Sequence, residues 1–254
     1  MWAEFECRAC FMKITETIID FVKLSTQKKH ALFQDIWSFD QQIFPSSTVE
    51  ELYDYMYDVD AVSVPVVQYW HQGKLIGQNI IPVLKLELDA QPIYVVSSRA
   101  GVLSEYRRKN LTLSSAIRVA VRYRLRSPKI PLWFVTTLMQ PKVYTLFASR
   151  SQFFFPRHNV EIPEQHIDIL KLMLSRKKQV EERGHGIYVS QSVIPRVTPD
   201  QLIRLRNRSD DHIRFFMQHV PDYFNGKGLV CVCLLDLRTI IETTWNLALG
   251  HYVH

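Results

Sequence analysis

The stretch from residue 102 to residue 126 constrains the fold most, because an apolar strand there passes through a short basic turn into a helix. The turn carries three consecutive cations, Arg107, Arg108 and Lys109, and the helix opens at Thr112 with serines in its first turn. A helix N-terminus presents unpaired backbone N–H groups and the positive end of the helix dipole, both of which suit an anion. The sequence therefore predicts a phosphate-binding site at the start of this helix.

The helix and the strand after it extend this feature into a larger unit. Apolar residues recur from Leu113 to Val121 at the spacing of a buried helical stripe. The helix ends before Pro128, because the residue before a proline avoids the α region. Residues 132–136 are mostly apolar, which is typical of a strand in a sheet interior. A strand, a phosphate-suited turn, a helix and a second strand form a βαβ-like unit.

The elements around this unit predict a mixed α/β (α+β) fold, with a mostly antiparallel central sheet flanked by helices. Two helices come first, and the β-branched and aromatic residues of 62–103 then predict an antiparallel meander that Pro82 interrupts. After residue 157 the composition shifts towards polar helices, beginning with one over 163–183. We therefore divide the chain into three parts: an N-terminal extension (1–17), a main domain (18–157), and a C-terminal α/β extension or second half-domain (158–254).

Composition limits the class of protein. A chain of 254 residues with 47% hydrophobic and 22% charged residues can bury a sizeable core and is not disordered. The net charge of +6 favours anionic ligands but does not separate nucleic acid, lipid and phosphorylated molecules. No segment reaches the roughly 18 uninterrupted apolar residues that a membrane span requires. We expect a soluble, cytoplasmic protein.

The four cysteines form two close pairs, Cys7 with Cys10 and Cys231 with Cys233. The C-x-x-C spacing of the first pair could supply two zinc ligands or a redox pair. The second pair lies in a strand-like run, whose alternation points both sulfurs to one face. Because a structural zinc site needs four ligands and the histidines follow no metal-ligand spacing, we expect reduced thiols and no metal.

The order of elements and the basic turn together resemble the GCN5-related N-acetyltransferase (GNAT) superfamily, of which this chain is identified as a divergent member. In that family a strand ends in a turn of pattern R-x-x-G-x-G, whose backbone amides hold the pyrophosphate of acetyl-coenzyme A, and the splayed strand pairs with the pantetheine arm. The resemblance implies that acetyl-CoA, or another acyl-CoA, is the co-substrate. The implied cofactor-binding residues are Val102, Leu103, Ser104, Arg107, Arg108, Lys109, Asn110, Leu111 and Thr112. Asn110 and Thr112 replace the two glycines of the pattern, and asparagine tolerates the left-handed conformation best among the other residues.

The family also uses a tyrosine as general acid, which reprotonates the coenzyme A thiolate. Aligning Gln140 with the family's helix-initiating asparagine puts Phe147 at the position of that tyrosine. Tyr144, one helical turn earlier, has a suitable hydroxyl and is the candidate acid. Its alternative role is packing in the core.

No carboxylate stands at the family's usual position for a general base, just before the terminal valine of the strand. Glu87 and Asp89 on the preceding strand, and Glu105 in the turn, are the fallback candidates. The alternative for each is an ordinary surface carboxylate.

The resemblance implies an acyl-CoA-dependent N-acyltransferase that moves an acetyl group from acetyl-CoA to an amine by direct attack. The end of the Val102 strand would supply a backbone N–H to the developing oxyanion. The acceptor would be an amine-bearing small molecule or a protein, and a homodimer is possible. The alternative is a non-catalytic protein of this fold that binds CoA or a protein partner. Nucleic-acid binding through the arginine row at 118, 122 and 126 ranks last, because charged helix faces are more often solvated.

Overall fold

A computed structural model describes residues 14–109, 111–192, 194, 199–206, 208 and 210–250. Most of the predicted extension 1–17, with Cys7 and Cys10, lies outside these residues, and so does Asn110. The described strands are β1 (Thr15–Asp20), β2 (Ala61–Ser63), β3 (Pro65–His71), β4 (Lys74–Ile80), β5 (Val83–Leu88), β6 (Gln91–Val96), β7 (Arg99–Val102), β8 (Leu132–Leu138), β9 (Phe154–Phe155), β10 (Val180–Glu182), β11 (Tyr188–Gln191) and β12 (Lys227–Leu234). The described helices are α1 (Thr26–Ile43), α2 (Val49–Met56), α3 (Leu111–Arg126), α4 (Pro141–Ala148), α5 (Glu164–Leu174), α6 (Pro199–Arg206), α7 (Asp211–His219) and α8 (Leu237–Leu249).

The strands form two sheets. One has the order β1-β3-β4-β7, and the other has the order β10-β11-β12-β8-β6-β5-β2, with β9 beside β12. The pairing of β6 with β8 is parallel, and the other ladders between described strands are antiparallel. This arrangement confirms the predicted mixed, mostly antiparallel fold.

The meander predicted over 62–103 is divided between the two sheets. The meander has three extended segments, and each is broken once: at Val64, around Pro82 and after Val96. Each segment therefore contributes one strand to each sheet. The breaks lie side by side: the Ile81 N–H donates to the Pro65 carbonyl at 3.0 Å, and the Ser97 N–H donates to the Pro82 carbonyl at 3.2 Å. A proline has no N–H for the ladder, which explains the middle break.

Helices cover both faces of the sheets. On one side, called the α3 face, residues of α3, α4 and α7 share a buried cluster with inward side chains of both sheets. On the other side, called the α5 face, α1 and α2 pack on the first sheet and α5 packs on the second. Ala61 packs against both clusters of the α5 face and so joins them.

The C-terminal part of the chain contributes to the central sheet. Strand β12 pairs with β8 on one edge and with β11 on the other. The domain boundaries at 17/18 and 157/158 stay predictions; β1 spans the first, and the second sheet contains strands from both sides of the second.

One predicted helix is too long. The helix predicted over 163–183 ends at Leu174, because the next five residues are exposed and offer no apolar stripe to bury. The chain then forms β10, which pairs with β11. The helix that begins after Asp210 ends at His219, because Val220 precedes a proline.

Candidate functional site

An opening between two strands is the central feature of the candidate site. Strand β6 pairs in parallel with β8 as far as Val96 and Phe134. Beyond that point β7 pairs with β4, while the rest of β8 pairs with β12. We call the resulting opening between β7 and β8 the cleft; its apex lies at Ser97 and Ser98. A free strand edge presents backbone groups to which an extended ligand can add as another strand would.

Particular backbone groups of β7 face the cleft. The Leu103 N–H donates to the Ile76 carbonyl at 2.9 Å, so it points towards β4. Because hydrogen-bonding groups alternate between the two edges of a strand, those of Ala100 and Val102 point into the cleft. Arg107 donates from Nε to the Val102 carbonyl at 3.2 Å, which places this guanidinium at the open end of the cleft. Of the predicted strand-end ligands, Val102 therefore faces the cleft and the Leu103 N–H does not.

The basic turn leads from the cleft to the N-terminus of α3. It is a 3₁₀ turn over Ser104–Lys109, and α3 begins at Leu111, one residue earlier than predicted. The first N–H groups of a helix have no partner within it. Arg107 is exposed, and the backbone of Arg108 and Lys109 belongs to the turn.

Two buried side chains fix the first turn of α3. The Tyr69 hydroxyl donates to the Leu111 carbonyl at 2.9 Å. Asn79 donates from Nδ2 to the Thr112 carbonyl at 2.9 Å and to Ser115 Oγ at 3.0 Å. All these acceptors are oxygens, so the anchors do not compete with an anion for N–H groups of the turn.

Asn79 also reaches the apex of the cleft. Its Oδ1 accepts a hydrogen bond from Ser98 Oγ at 2.7 Å, and its side chain is fully buried. One amide thus connects the apex of the cleft with the first turn of α3. The sequence analysis missed it; the available signal was an uncharged polar pair, Gln78 and Asn79, inside an apolar strand.

The α5 face of the apex carries a tyrosine hydroxyl. Tyr55 of α2 and Ser97 Oγ lie 2.8 Å apart. Burial raises the pKa of Tyr55 above its usual value, so this hydroxyl keeps its proton. The apex therefore combines the hydroxyls of Tyr55, Ser97 and Ser98, none of which the sequence analysis named.

Helix α1 closes onto β7 on the same face. Arg99 forms two hydrogen bonds with the buried Asp40 carboxylate, at 2.9 and 2.6 Å. A Cβ atom at Gly101 would lie 2.9 Å from Ile43 Cγ2, so glycine permits this close approach. These contacts hold β7 against α1 and away from β8.

Tyr144, the predicted general acid, lies in the core on the α3 face. Its side chain has no exposed surface, its hydroxyl donates to the Pro156 carbonyl at 2.8 Å, and its ring stacks on Phe215 with centroids 5.9 Å apart. Burial raises its pKa well above the usual value. A general acid that protonates the thiolate needs its hydroxyl at the cleft. These contacts therefore favour a packing role for Tyr144 over the role of general acid. Phe147 packs against Phe134 and Phe154.

The predicted bases do not meet at the apex. Glu87 is exposed on β5 opposite Pro92, five residues before Ser97, which is about 17 Å along a strand. Glu105 is exposed in the turn and accepts a hydrogen bond from Ser104 Oγ at 3.1 Å. Hydrogen bonding, first from its own backbone, lowers the Glu105 pKa and weakens it as a base. The structure therefore does not bring Tyr144, Glu87 and Glu105 together.

Cys231 and Cys233 are buried free thiols of β12. Both side chains belong to the core of the α3 face, as the alternation predicts. Burial raises the pKa of Cys233 to about 12. In the part of the chain that the structure describes, we find no group of three or more side chains suited to a metal ion. The described helices also include none with the length and apolar character to cross a membrane.

The strand order, the cleft and the helix N-terminus at its open end define a GNAT-like fold. No family model and no curated protein matches the sequence. A probable N-acyltransferase from Enterococcus faecalis V583 is similar in structure, with 10% identity and a TM-score of 0.38; the match covers 56% of this chain and 33% of that protein. This chain thus spans about a third of that protein's length.

Two shorter proteins match over most of their own length. Escherichia coli ElaA is 18% identical, with 60% of this chain and 94% of ElaA covered at a TM-score of 0.36. An acyl-CoA N-acyltransferase from Pseudomonas aeruginosa is 14% identical, with 55% and 88% covered at a TM-score of 0.34. Scores this low carry no weight by themselves, and the fold is identified by its strand order and its cleft.

Proposed function

We propose that this protein is an acyl-CoA-dependent N-acyltransferase that transfers an acetyl group from acetyl-CoA to an amine. The observation that carries the proposal is the free edge of β7, which leads from a hydroxyl-lined apex to the N-terminus of α3. A pantetheine arm contains amides that pair with a strand edge, and its pyrophosphate suits a helix N-terminus. One continuous surface of this chain therefore fits both parts of the cofactor.

The backbone of β7 binds and orients the co-substrate in this proposal. Ala100 and Val102 offer N–H and carbonyl groups to the amides of the arm. The basic turn, with Arg107 at the open end of the cleft, meets the phosphates. An N–H of the Val102 strand that points into the cleft stabilises the oxyanion, since preorganised donors act most strongly in a water-poor site.

The transfer step needs little acid–base help from the described side chains. The acceptor amine attacks the thioester carbonyl, the C–N bond forms, the C–S bond breaks, and the proton lost by the amine nitrogen passes to the departing thiolate, so that the products are an amide and free CoA thiol. Tyr55 keeps its proton and, through Ser97, offers the leaving sulfur a hydrogen bond. Because the predicted carboxylates lie away from the apex, we expect the amine to arrive deprotonated and the rate to rise with pH. Glu87 and Glu105 remain candidate bases from the sequence alone.

The acceptor, the location and the oligomeric state are part of the same proposal. The acceptor is an amine-bearing small molecule or a protein, the location is the cytoplasm, and the protein forms a homodimer or acts as a monomer. The buried free thiols Cys231 and Cys233 suit a reducing compartment.

A substitution at Ala100 tests the proposal. Proline removes the N–H that faces the cleft and costs no hydrogen bond to β4, since proline is tolerated at a free strand edge. We expect Ala100→Pro to weaken acetyl-CoA binding about tenfold in calorimetry, the effect of losing one hydrogen bond of about 1.4 kcal/mol. Ala100→Val keeps the N–H and adds similar bulk, so it serves as the control. If both variants lose the same acetyl-CoA affinity, the backbone of β7 does not pair with the pantetheine arm. If the wild type does not bind acetyl-CoA, the proposed function is refuted.

The alternative function is a non-catalytic protein that binds CoA or a protein partner. It is favoured by the positions of Tyr144, Glu87 and Glu105, which are separate from one another in the fold. Acetyl-CoA binding without turnover across a broad panel of amines would select it. Nucleic-acid binding has less support, because Arg118 of the predicted arginine row pairs with Glu16.

A further inference from the structure

Helix α8 presents a row of large apolar side chains to solvent. Its four members follow one another at intervals of four residues and are 50–66% exposed: Leu237, Ile241, Trp245 and Leu249. The other side of the helix is anchored in the protein, since Thr239 and Ile240 are buried. A single exposed leucine is ordinary, but a contiguous row along one helix is the kind of patch that marks an interaction site. We call these four side chains the α8 row.

The two charged residues of α8 are both engaged within the chain. The Arg238 guanidinium lies 5.2 Å from the centroid of the Phe153 ring, and Glu242 accepts a hydrogen bond from Gln152 Nε2 at 3.0 Å. The sequence Leu237–Leu249 contains no other charged residue. Because the whole chain carries a net charge of +6, two copies repel each other at long range, and the uncharged α8 row adds nothing to this repulsion.

The shape of α8 is complementary to itself. Side chains four residues apart on a helix form a slanted ridge, and the next ridge on this side is low because Thr244 and Ala248, both exposed, are small. The commonest packing of two helices, crossing at about −50°, places a ridge of this kind from each helix in the groove of the other. A second copy of α8 supplies the same ridge and the same groove. The surface therefore fits a two-fold interface, in which both copies use the same patch.

The size of the α8 row fits a small dimer interface. A leucine or isoleucine side chain offers about 130 Å² of apolar surface and a tryptophan about 200 Å². At the exposures given above, the row leaves on the order of 350 Å² of apolar side chain open on each chain. Apolar atoms make up about 65% of a homodimer interface, so two rows correspond to a total buried area of about 1,100 Å². This area exceeds the roughly 1,000 Å² expected of a biological interface and lies at the low end of the specific ones.

We propose that α8 is the dimerisation helix of this protein and that its row packs against the same row of a second copy. The inference goes beyond the proposed function, which leaves the oligomeric state open, and it does not depend on CoA binding or acetyl transfer. Pairing covers the apolar side chains that each monomer leaves in water, which is the driving force for association.

The test is sedimentation equilibrium of the full chain over a range of protein concentrations. We expect a monomer–dimer equilibrium with a Kd of roughly 10 µM, since an interface of this size supports a weak dimer. Ile241→Glu places a charge in the middle of the row and should raise this Kd at least about tenfold. Trp245→Ala removes the largest side chain of the row without adding charge and should weaken the dimer as well. Added salt should leave the dimer unchanged or tighten it, because the contact is apolar and salt screens the net charge.

The matched control is Ile203→Glu on α6. Ile203 is 58% exposed on a different helix, so the same substitution there should leave the Kd of the dimer unchanged. Both isoleucines are exposed in the monomer, so each variant should keep the far-ultraviolet circular dichroism of the wild type.

Four results would overturn the proposal. The first is a wild type that stays monomeric at roughly 300 µM, far above the expected Kd. The second is a dimer that Ile241→Glu and Trp245→Ala do not weaken, since its interface then lies elsewhere. The third is an equal loss in Ile203→Glu and Ile241→Glu, since added charge would then act without regard to its position. The fourth is a monomeric wild type whose binding to vesicles of neutral phosphatidylcholine falls in Ile241→Glu, which would assign the row to lipid. CoA affinity of the same samples tests the acyltransferase separately.

Discussion

Replacing Asn79 by alanine should damage stability and cofactor binding together, because this one side chain joins two parts of the site. It donates to the Thr112 carbonyl and to Ser115 Oγ in the first turn of α3, and it accepts from Ser98 Oγ at the apex. The variant removes all three hydrogen bonds from a fully buried position. It also leaves polar partners without their bonds inside the core.

The expected size follows from the number of bonds. A buried hydrogen bond contributes about 0.5–1.5 kcal/mol net, and leaving a partner unsatisfied costs about 1–3 kcal/mol. The Ser98 hydroxyl can rotate to another acceptor, and Ser115 Oγ still donates to the Thr112 carbonyl, so we expect Asn79→Ala to lower the free energy of unfolding by about 2–4 kcal/mol. With the helix N-terminus no longer fixed to the apex, CoA should bind at least about tenfold more weakly, which is 1.4 kcal/mol.

The measurements are urea unfolding and calorimetry with CoA at a temperature where every variant is folded. Gln78→Ala is the matched control: Gln78 is the adjacent residue, is also buried, and donates to the Ile36 carbonyl at 3.2 Å on the α5 face. It should lose stability but keep its CoA affinity. Tyr69→Phe removes a single anchor, the bond to the Leu111 carbonyl, and should fall between Asn79→Ala and the wild type in affinity.

Two results would refute this reasoning. If Asn79→Ala and Gln78→Ala lose CoA affinity equally, the effect is general destabilisation and not the position of α3. If Asn79→Ala binds CoA as the wild type does, the N-terminus of α3 is not held by this amide.

Three further predictions follow from single side chains. Tyr144→Phe loses one hydrogen bond to the Pro156 carbonyl, so its free energy of unfolding should fall by about 1 kcal/mol while kcat for acetyl transfer stays within twofold; a selective loss of kcat would restore Tyr144 as the acid. Arg99→Ala leaves the buried Asp40 carboxylate unpaired and should cost about 3–5 kcal/mol in urea unfolding, and a loss below 1 kcal/mol would contradict the buried pair. Burial lowers the pKa of His166 from 6.5 to about 4, so between these pH values the unfolded chain binds a proton at this histidine and the folded chain does not. The free energy of unfolding should therefore fall by up to about 3 kcal/mol as the pH drops from 6.5 to 4. This pH dependence should be absent in His166→Leu.

Local sequence patterns predicted most of the helices and strands. They did not predict the features that depend on how the strands pair. The strand, basic turn and helix from 102 to 126 follow from periodicity and helix-end signals within a few residues. The division of the meander between two sheets does not, because each break depends on where the neighbouring strand is bonded. Pro65 and Pro82 are local signals at the first and middle breaks, but neither shows to which sheet each strand belongs. The cleft, which depends on where β8 leaves β6, could not be read from either strand alone.

The missing parts of the site share a physical reason. Asn79 reaches Thr112 across 33 residues, and Tyr55 reaches Ser97 across 42. Contacts at such separations leave no periodic trace in the sequence. Tyr144 shows the converse: its position on α4 was predicted, but its burial depends on α7, which lies far along the chain.

Buried neutral hydrogen bonds and partly exposed ion pairs both hold the surroundings of the cleft, and salt acts on the two kinds of contact differently. On the α3 face, neutral hydrogen bonds from the buried Tyr69 and Asn79 hold the first turn of α3. On the α5 face, Arg176, whose side chain is 30% exposed, ties the turn between α5 and β10 to Asp58 and Asp60 in the loop after α2. Salt screens partly exposed ion pairs and leaves buried neutral bonds almost unchanged. Raised salt should therefore weaken the Arg176 ion pairs and leave the hydrogen bonds from Tyr69 and Asn79 to the first turn of α3 almost unchanged, so CoA affinity should depend on salt through the phosphates and not through the position of α3.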